Sequence, residues 1–355
     1  MIQGVNRSSS EQAYRAVMLD SSSSIKDFSL DRKKYYRKYI LSEDVEEDEK
    51  ENQATKMGKI AETLLMEPDL FDEKFYMSAC AAPPTGLMLE FVEGLYKASK
   101  EATDNEGNIS APFDELAKEA YIYSGFKLPI ATILNKFIGS DAEIFYDEIR
   151  RVRAKKMVVV TTQDVTYGER IVETLKLSPV TKDIVNLVTS SRYTVQNQLQ
   201  IEGFSVEGHL LKGMLDKVIF DHQEKTIQVY DLKCVWAVEN FYEEYYLYRR
   251  AYIQALVYYF AAKYLTETNK ALKDYTVNFP MFIICDSTNY YSPLVYTLDE
   301  QDMKDAMEGF EHKGRKYPGV KEIIQNLHWA LENNIWAISR ENYLNKGIVL
   351  IQSKK

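Results

Sequence analysis

Two extended runs, Leu210 to Phe220 and Thr226 to Cys234, stand out along the chain; both are rich in Val, Ile, Leu and Tyr, and the polar stretch Asp221-His-Gln-Glu-Lys separates them. Such residues on either side of a short polar turn predict a β-hairpin, here with one acid on each strand, Asp216 and Asp231. From Val238 to Leu265 neither Gly nor Pro interrupts the chain, which predicts one long helix. Gln254 and Tyr258, four residues apart, share a face of it. Beyond it, Val277 to Cys285 and Tyr290 to Thr297 read as strands split by Asp286-Ser-Thr-Asn, and the chain from Leu298 reads as closing helices, with Trp329 and Trp336 sealing the core.

Upstream of the hairpin the pattern is mostly helical. Residues 1–24 are polar and serine-rich, and Ser23 or Ser24 is placed to cap a helix over 25–40 striped with Phe28, Tyr35, Tyr36, Tyr39 and Ile40. The acidic run Asp44 to Glu51 reads as a solvated linker, and the helical spacing of Ile60, Leu64 and Leu65 is stopped by Pro68. After the break at Ala81-Ala-Pro-Pro-Thr-Gly come short helices over Leu87 to Ala102, Phe113 to Ser124 and Leu128 to Phe137. Met157 to Thr161 is a β-branched run, Gln163 to Thr174 and Val180 to Ser190 read as helices, and Tyr193 to Phe204 is extended. The expected organisation is a flexible N-terminus (1–24), N-terminal helices (25–77), a helical insertion (78–156) and a core (157–355). Strand, strand, long helix, strand, strand is an α/β pattern: a mixed central sheet flanked by helices.

Composition narrows the class. With 45% hydrophobic residues in 355 and both charge signs mixed, the chain is expected to be globular and cytoplasmic; no window approaches twenty apolar residues and the N-terminus lacks a signal peptide's apolar core. A net charge of −9 runs against simple nucleic-acid binding by excess cations. Positive charge is nonetheless concentrated in Arg32-Lys33-Lys34 with Arg37-Lys38 and in Arg150 to Lys156, each either a solvated face or the lining of a channel. Three cysteines, Cys80, Cys234 and Cys285, cannot supply a four-cysteine iron–sulfur cluster, and lying far apart without C-x-x-C spacing they indicate neither a disulfide framework nor a zinc site. His209, His222, His312 and His328 show no ligand spacing.

The chemistry gathers on the hairpin. In Asp231-Leu232-Lys233 the acid and the amine are two apart, so on a strand both point to one face. Asp216 on the partner strand is near enough for its carboxylate to share an ion with Asp231. Two carboxylates at one point repel unless a cation sits between them, and a hard dication held by oxygen atoms is the usual answer.

The order Gly213-x-x-Asp216, Asp231-x-Lys233 and Gln254-x-x-x-Tyr258 resembles the PD-(D/E)xK nuclease superfamily and its RecB-like branch. The segment Gly58-x-x-x-Glu62-x-x-x-Met66-Glu67-Pro68 is similar to the Gly-x-x-x-His-x-x-x-Leu-Glu-Pro helix of RecE-type exonucleases, with Glu62 where the family's histidine reaches the metal. The resemblance covers about 22–75 and 157–340; Gln196, Asn197 and Gln198 stand where relatives carry a metal-proximal glutamate, and no ligand is assigned there. It implies a restriction-endonuclease-like core that holds Mg²⁺, with Mn²⁺ as a substitute, through Asp216, Asp231, the Leu232 carbonyl and Glu62. Lys233, Gln254 and Tyr258 would complete the catalytic set, and Tyr248, Arg249, Arg250, Arg32 and Lys33 would contact DNA. It further implies 5′-to-3′ digestion of double-stranded DNA from its ends, leaving 3′ single strands for recombination or repair. A single-strand annealing partner, a homo-oligomeric ring and a phage origin, hence the host cytoplasm, belong to the same expectation. The alternatives are a repair or structure-specific nuclease acting on single strands or internally, and a catalytically silent DNA-binding subunit.

Overall fold

The structure, a computed structural model, describes residues 11–43, 53–80, 82–104, 109–153, 155 and 157–349; the acidic run 44–51 lies outside them. The chain divides into two units, one formed by Glu67–Arg170 and the other by Met1–Met66 with Ile171–Lys355.

The smaller unit contains a pair of parallel strands, β1 (Phe75–Met77) near its start and β2 (Val158–Val160) near its end. Between them, helices Gly86–Glu101, Phe113–Ser124, Ile130–Phe137 and Asp141–Arg153 enclose a core that includes Phe91, Leu95, Ile133, Phe137 and Ile149. The residues 78–156, expected to be helical, fall inside this unit. The helix Asp141–Arg153 is an addition to the sequence reading, where the basic run at its end hid a helical stripe of Ala142, Phe145, Tyr146, Ile149 and Val152.

The larger unit is built on a six-stranded sheet of β3 (Tyr193–Val206), β4 (His209–Asp221), β5 (Thr226–Val235), β6 (Thr276–Val277), β7 (Met281–Asp286) and β8 (Leu294–Tyr296). The strand order is β3-β4-β5-β7-β8, with β6 also beside β5. β3, β4 and β5 form an antiparallel meander, β5 and β7 are parallel, and β8 returns antiparallel to β7, so the sheet is mixed. The helix Ala251–Thr268 supplies the crossover that a parallel pair needs. It buries residues around most of its circumference, among them Tyr252, Ile253, Leu256, Val257 and Ala261, because it packs on the sheet and on helices Ser22–Leu30 and Glu300–Glu308. The expected mixed α/β sheet flanked by helices is therefore what the chain forms.

Several boundaries move. The helix expected over 238–265 is broken: a 3₁₀ turn at Val238–Asn240 and a π turn at Tyr242–Tyr248 precede Arg250, whose φ of +56° is left-handed, and the regular helix starts at Ala251. A non-glycine residue there costs on the order of 1–3 kcal/mol. Arg250 Nη1 donates to the Ser29 carbonyl at 2.7 Å, a tie that holds the break in place. The helix expected over 180–190 shrinks to Lys182–Val185, where Thr181 Oγ1 and Asn186 Nδ2 donate to the carbonyls of Leu175 and Lys176 instead of continuing a helix. Ser21, rather than Ser23 or Ser24, caps the first long helix, in a reciprocal capping box with Ser24.

The closing helices are interrupted by a hairpin that the sequence reading did not contain, β9 (Gly309–His312) with β10 (Arg315–Pro318). Its base is a close backbone crossing: a Cβ on Gly319 would meet the Gly309 nitrogen and the Met307 carbonyl, and Gly309 itself has φ +92°. We expect Gly319→Ala to destabilise the protein by about 1–3 kcal/mol, because the obstacle is backbone and cannot turn aside. Thermal melting of this variant beside the wild type measures the cost; an unchanged melting temperature would refute the crossing.

Candidate active site

The last paired residues of the β4–β5 ladder are Lys217 and Tyr230, so Asp216 and Asp231 are the next residues along the two strands. Where the ladder stops, a side chain takes over: Asp216 Oδ2 accepts the Leu232 backbone N–H at 3.0 Å. The other carboxylate is buried to 1% exposure, and its Oδ2 lies 2.6 Å from Lys233 Nζ, which the two-residue spacing brings to the same side of the strand. At that distance the ammonium is the close charged partner of Asp231 Oδ2.

The helix Ala251–Thr268 delivers the polar pair one turn apart that the sequence indicated. Gln254 Nε2 donates to Asp231 Oδ1 at 2.7 Å and to the Tyr258 hydroxyl at 2.8 Å, while Tyr258 Oη donates to Asp216 Oδ1 across a long 3.5 Å. The two acids are thus linked through two helix side chains as well as through their neighbouring strands. In this arrangement Gln254 and Tyr258 orient carboxylates.

A third strand and a second helix complete the site. Gln198 on β3 falls between the pairs Asn197–Lys217 and Leu199–Leu215, opposite Asp216, with a left-handed φ of +48°. Its Nε2 donates to Glu62 Oε1 at 2.7 Å, and the adjacent Asn197 Nδ2 donates to the carbonyl of Met66, the last residue of the helix Gln53–Met66. Two neighbouring amides therefore clamp that helix one turn apart and hold Glu62 toward the acid pair. The amide oxygens of Asn197 and Gln198 are buried without a partner. Gln198 is the site residue that sequence reasoning left unassigned; the available signal was the unbroken polar triplet 196–198 inside a strand.

The electrostatics follow from this crowding. Burial, then the charges of Asp231 and Glu62, push the Asp216 carboxyl well above the usual carboxylate range, against the pull of Lys233 and the Leu232 N–H. Burial alone would lower the Lys233 ammonium, but the attraction of Asp231, followed by that of Asp216, outweighs it and keeps the amine protonated above its ordinary value. The Tyr258 phenol is raised well above its ordinary value, first by burial and then by the two acids. It stays a neutral donor.

The other sequence-derived candidates have different surroundings. Arg250 is half-buried and forms the strut to Ser29, with its guanidinium pKa lowered by burial, at the break that replaces the expected uninterrupted helix. Arg249 lies over the Tyr245 ring, and Tyr248 is 63% exposed. Arg32 lies over the Phe28 ring at the start of its helix, and Lys33 is exposed.

Among the described residues no three His, Cys, Asp or Glu side chains stand together closely enough to cage a metal ion as placed. The donor set nevertheless suits a hard dication: two buried carboxylates, Asp216 and Asp231, share a single amine, the charge of Asp231 disfavours ionisation of Asp216, and a third acid, Glu62, lies in electrostatic reach.

No protein-family model and no curated protein matches the chain. Among solved structures, the "Putative exonuclease" from Eubacterium rectale aligns over 99% of this chain and 97% of its own, with 13% identity and a TM-score of 0.46. A likeness of that size carries no argument about activity, so the functional reading rests on the site.

A raised carboxyl pKa has a definite consequence for stability. Between the unfolded value of Asp216, 3.8, and its higher folded value, the native state holds a proton that the unfolded chain releases, so stability contributed by this group falls as pH rises through that window. Asp216→Asn keeps an acceptor for the Leu232 N–H and removes the charge. In chelator-treated protein it should melt higher than the wild type at pH 8, with the gap closing toward pH 4; a variant that melts lower at pH 8 would contradict the buried like-charge pair.

Proposed function

We propose that this chain is a Mg²⁺-dependent exodeoxyribonuclease of the RecE-like, PD-(D/E)xK type, hydrolysing double-stranded DNA from its ends. The observation that carries the reading is the convergence of Asp216, Asp231 and Lys233 from adjacent strands on one point, with Gln254 and Tyr258 fixing both carboxylates from the helix behind. Ordinary ion pairs do not bury two acids against a single amine, because the surplus negative charge is costly. A phosphodiesterase site has a use for that surplus.

Asp216, Asp231 and the Leu232 carbonyl would hold the cation, with Glu62 brought in by Gln198. Bound there, Mg²⁺ would supply Lewis-acid stabilisation of the charge that builds on the phosphoryl oxygens, and Mn²⁺ would substitute. Lys233, kept protonated by Asp231, acts as a fixed positive charge toward the phosphate and the attacking water; in this protonation state it is not a base. Gln254 and Tyr258 hold the carboxylates in place and so act as positioning residues.

By the same reading the enzyme works 5′ to 3′ and leaves 3′ single strands for recombination or repair, with a single-strand annealing protein as partner. A ring of copies around the duplex would reconcile a net charge of −9 with a basic bore.

Linear duplex labelled at one 5′ end or one 3′ end, with a closed circle in parallel, tests activity, direction and the need for ends together. With Mg²⁺ the expected result is early release of the 5′ label and an intact circle, and Lys233→Ala should cut at least about 100-fold more slowly without loss of fold. Degraded circles would reject end-dependence. Unchanged cutting by Lys233→Ala would reject the site.

A further inference from the structure

The strand that carries Asp231 and Lys233 ends at Val235, and the next residue, Trp236, is 70% exposed. Beside it on the sheet lies β7, which is parallel to β5 in the register Val235–Asp286, and Ser287 N donates to the Val235 carbonyl at 2.8 Å. The loop leaving β7 therefore starts next to Trp236, and it presents Tyr290 and Tyr291 at 87% and 62% exposure. These three rings have no aromatic partner among the described residues. Leaving them in water forgoes favourable burial of a large apolar area.

The loop is built to keep them there. Asp286 is buried, and its Oδ2 accepts the backbone N–H groups of Tyr290 and Tyr291 at 2.8 and 3.0 Å, while its Oδ1 accepts those of Thr288 at 2.9 Å and the Thr288 hydroxyl at 2.8 Å. Asn289 takes a left-handed φ of +56° to make the turn. One buried carboxylate thus organises the whole loop, and the two tyrosines project from a fixed backbone. No residue of 287–293 or of 234–238 carries a charge. The surface is aromatic and neutral, next to the end of the strand that bears the reactive groups.

We propose that Trp236, Tyr290 and Tyr291 form a stacking platform for unpaired bases of DNA whose backbone is engaged at the Asp216–Asp231–Lys233 site. The strand's end at Val235 is two residues, about 7 Å, beyond Lys233, and Trp236 follows it where the chain bends away, a reach of one or two nucleotides. Any base offers a π-face, so a neutral aromatic surface binds single strands without reading sequence. These two segments carry no Lys or Arg, so binding there gains little from phosphate neutralisation and counterion release. The proposal rests on the nuclease reading and adds to it a place where the strand separated at a duplex end is held.

The test is equilibrium binding of the full chain to fluorescent DNA in EDTA, so that nothing is cut, comparing blunt duplex with duplex bearing a short dT tail at either end. Trp236→Ala should weaken tailed DNA about 5- to 150-fold and leave blunt duplex unchanged, with the same ratio at low and high salt, while Trp236→Phe restores most of the binding. Tyr290→Ala with Tyr291→Ala should act in the same direction. Equal loss on blunt and tailed DNA, or no loss on either, overturns the platform; if the wild type still degrades linear duplex with Mg²⁺, the nuclease reading survives that result. A wild type that binds neither DNA and cuts none overturns both. Self-association of the wild type that Trp236→Ala abolishes, with DNA binding untouched, assigns the surface to a second copy and also overturns the proposal.

Discussion

The site depends on keeping two buried carboxylates side by side. Asp216 and Asp231 sit at the end of a ladder where a backbone hydrogen bond would ordinarily continue, and the Leu232 N–H turns to a carboxylate oxygen instead. One amine, Lys233, offsets part of the negative charge, and two helix side chains fix the orientation of the acids. What remains is an excess of negative charge in a place shielded from water, which burial makes more costly and which a cation would relieve.

Much of the larger unit is arranged to sustain that point. The meander β3-β4-β5 brings Gln198 and Asp216 face to face and places Asp231 and Lys233 on the next strand, and the parallel step to β7 requires the crossover helix that carries Gln254 and Tyr258. The N-terminal part of the chain is tied to the same strands: Lys212 Nζ on β4 donates to the carbonyls of Tyr14, Arg15 and Val17, and Asp20 receives Ser24, Tyr35 and His209. The helix Gln53–Met66 is held by Asn197 and Gln198. These attachments are polar side-chain hydrogen bonds, which fix position more narrowly than apolar contact would.

What the sequence disclosed, it disclosed through short spacings. Asp231 and Lys233 two apart, Gln254 and Tyr258 four apart, and a short polar turn between two β-rich runs are local relations, and all three survive in the structure, the turn as residues 222–225. The break at Arg250 left no Gly or Pro as a mark, because a distant carbonyl, that of Ser29, holds it. Gln198 could not be paired with Glu62 from spacing, since 136 residues separate them. The Asp286 loop looked like a plain turn between strands, and only the collected N–H groups show it as a mount for exposed tyrosines. The hairpin β9–β10 was read as part of a helical tail, because its strands are only four residues each and a glycine crossing, not a long β pattern, defines it.

The account therefore stands on Asp216 and Asp231 acting together as a cation site. Its most direct measurement is the melting temperature of the chelated protein as Mg²⁺ or Mn²⁺ is added back, for the wild type and for Asp231→Asn, since a ligand that binds only the native state stabilises it by RT ln(1 + [L]/Kd). The account predicts a saturable rise in the wild type that the variant lacks. An equal rise in both, or none in the wild type at millimolar metal, would contradict it.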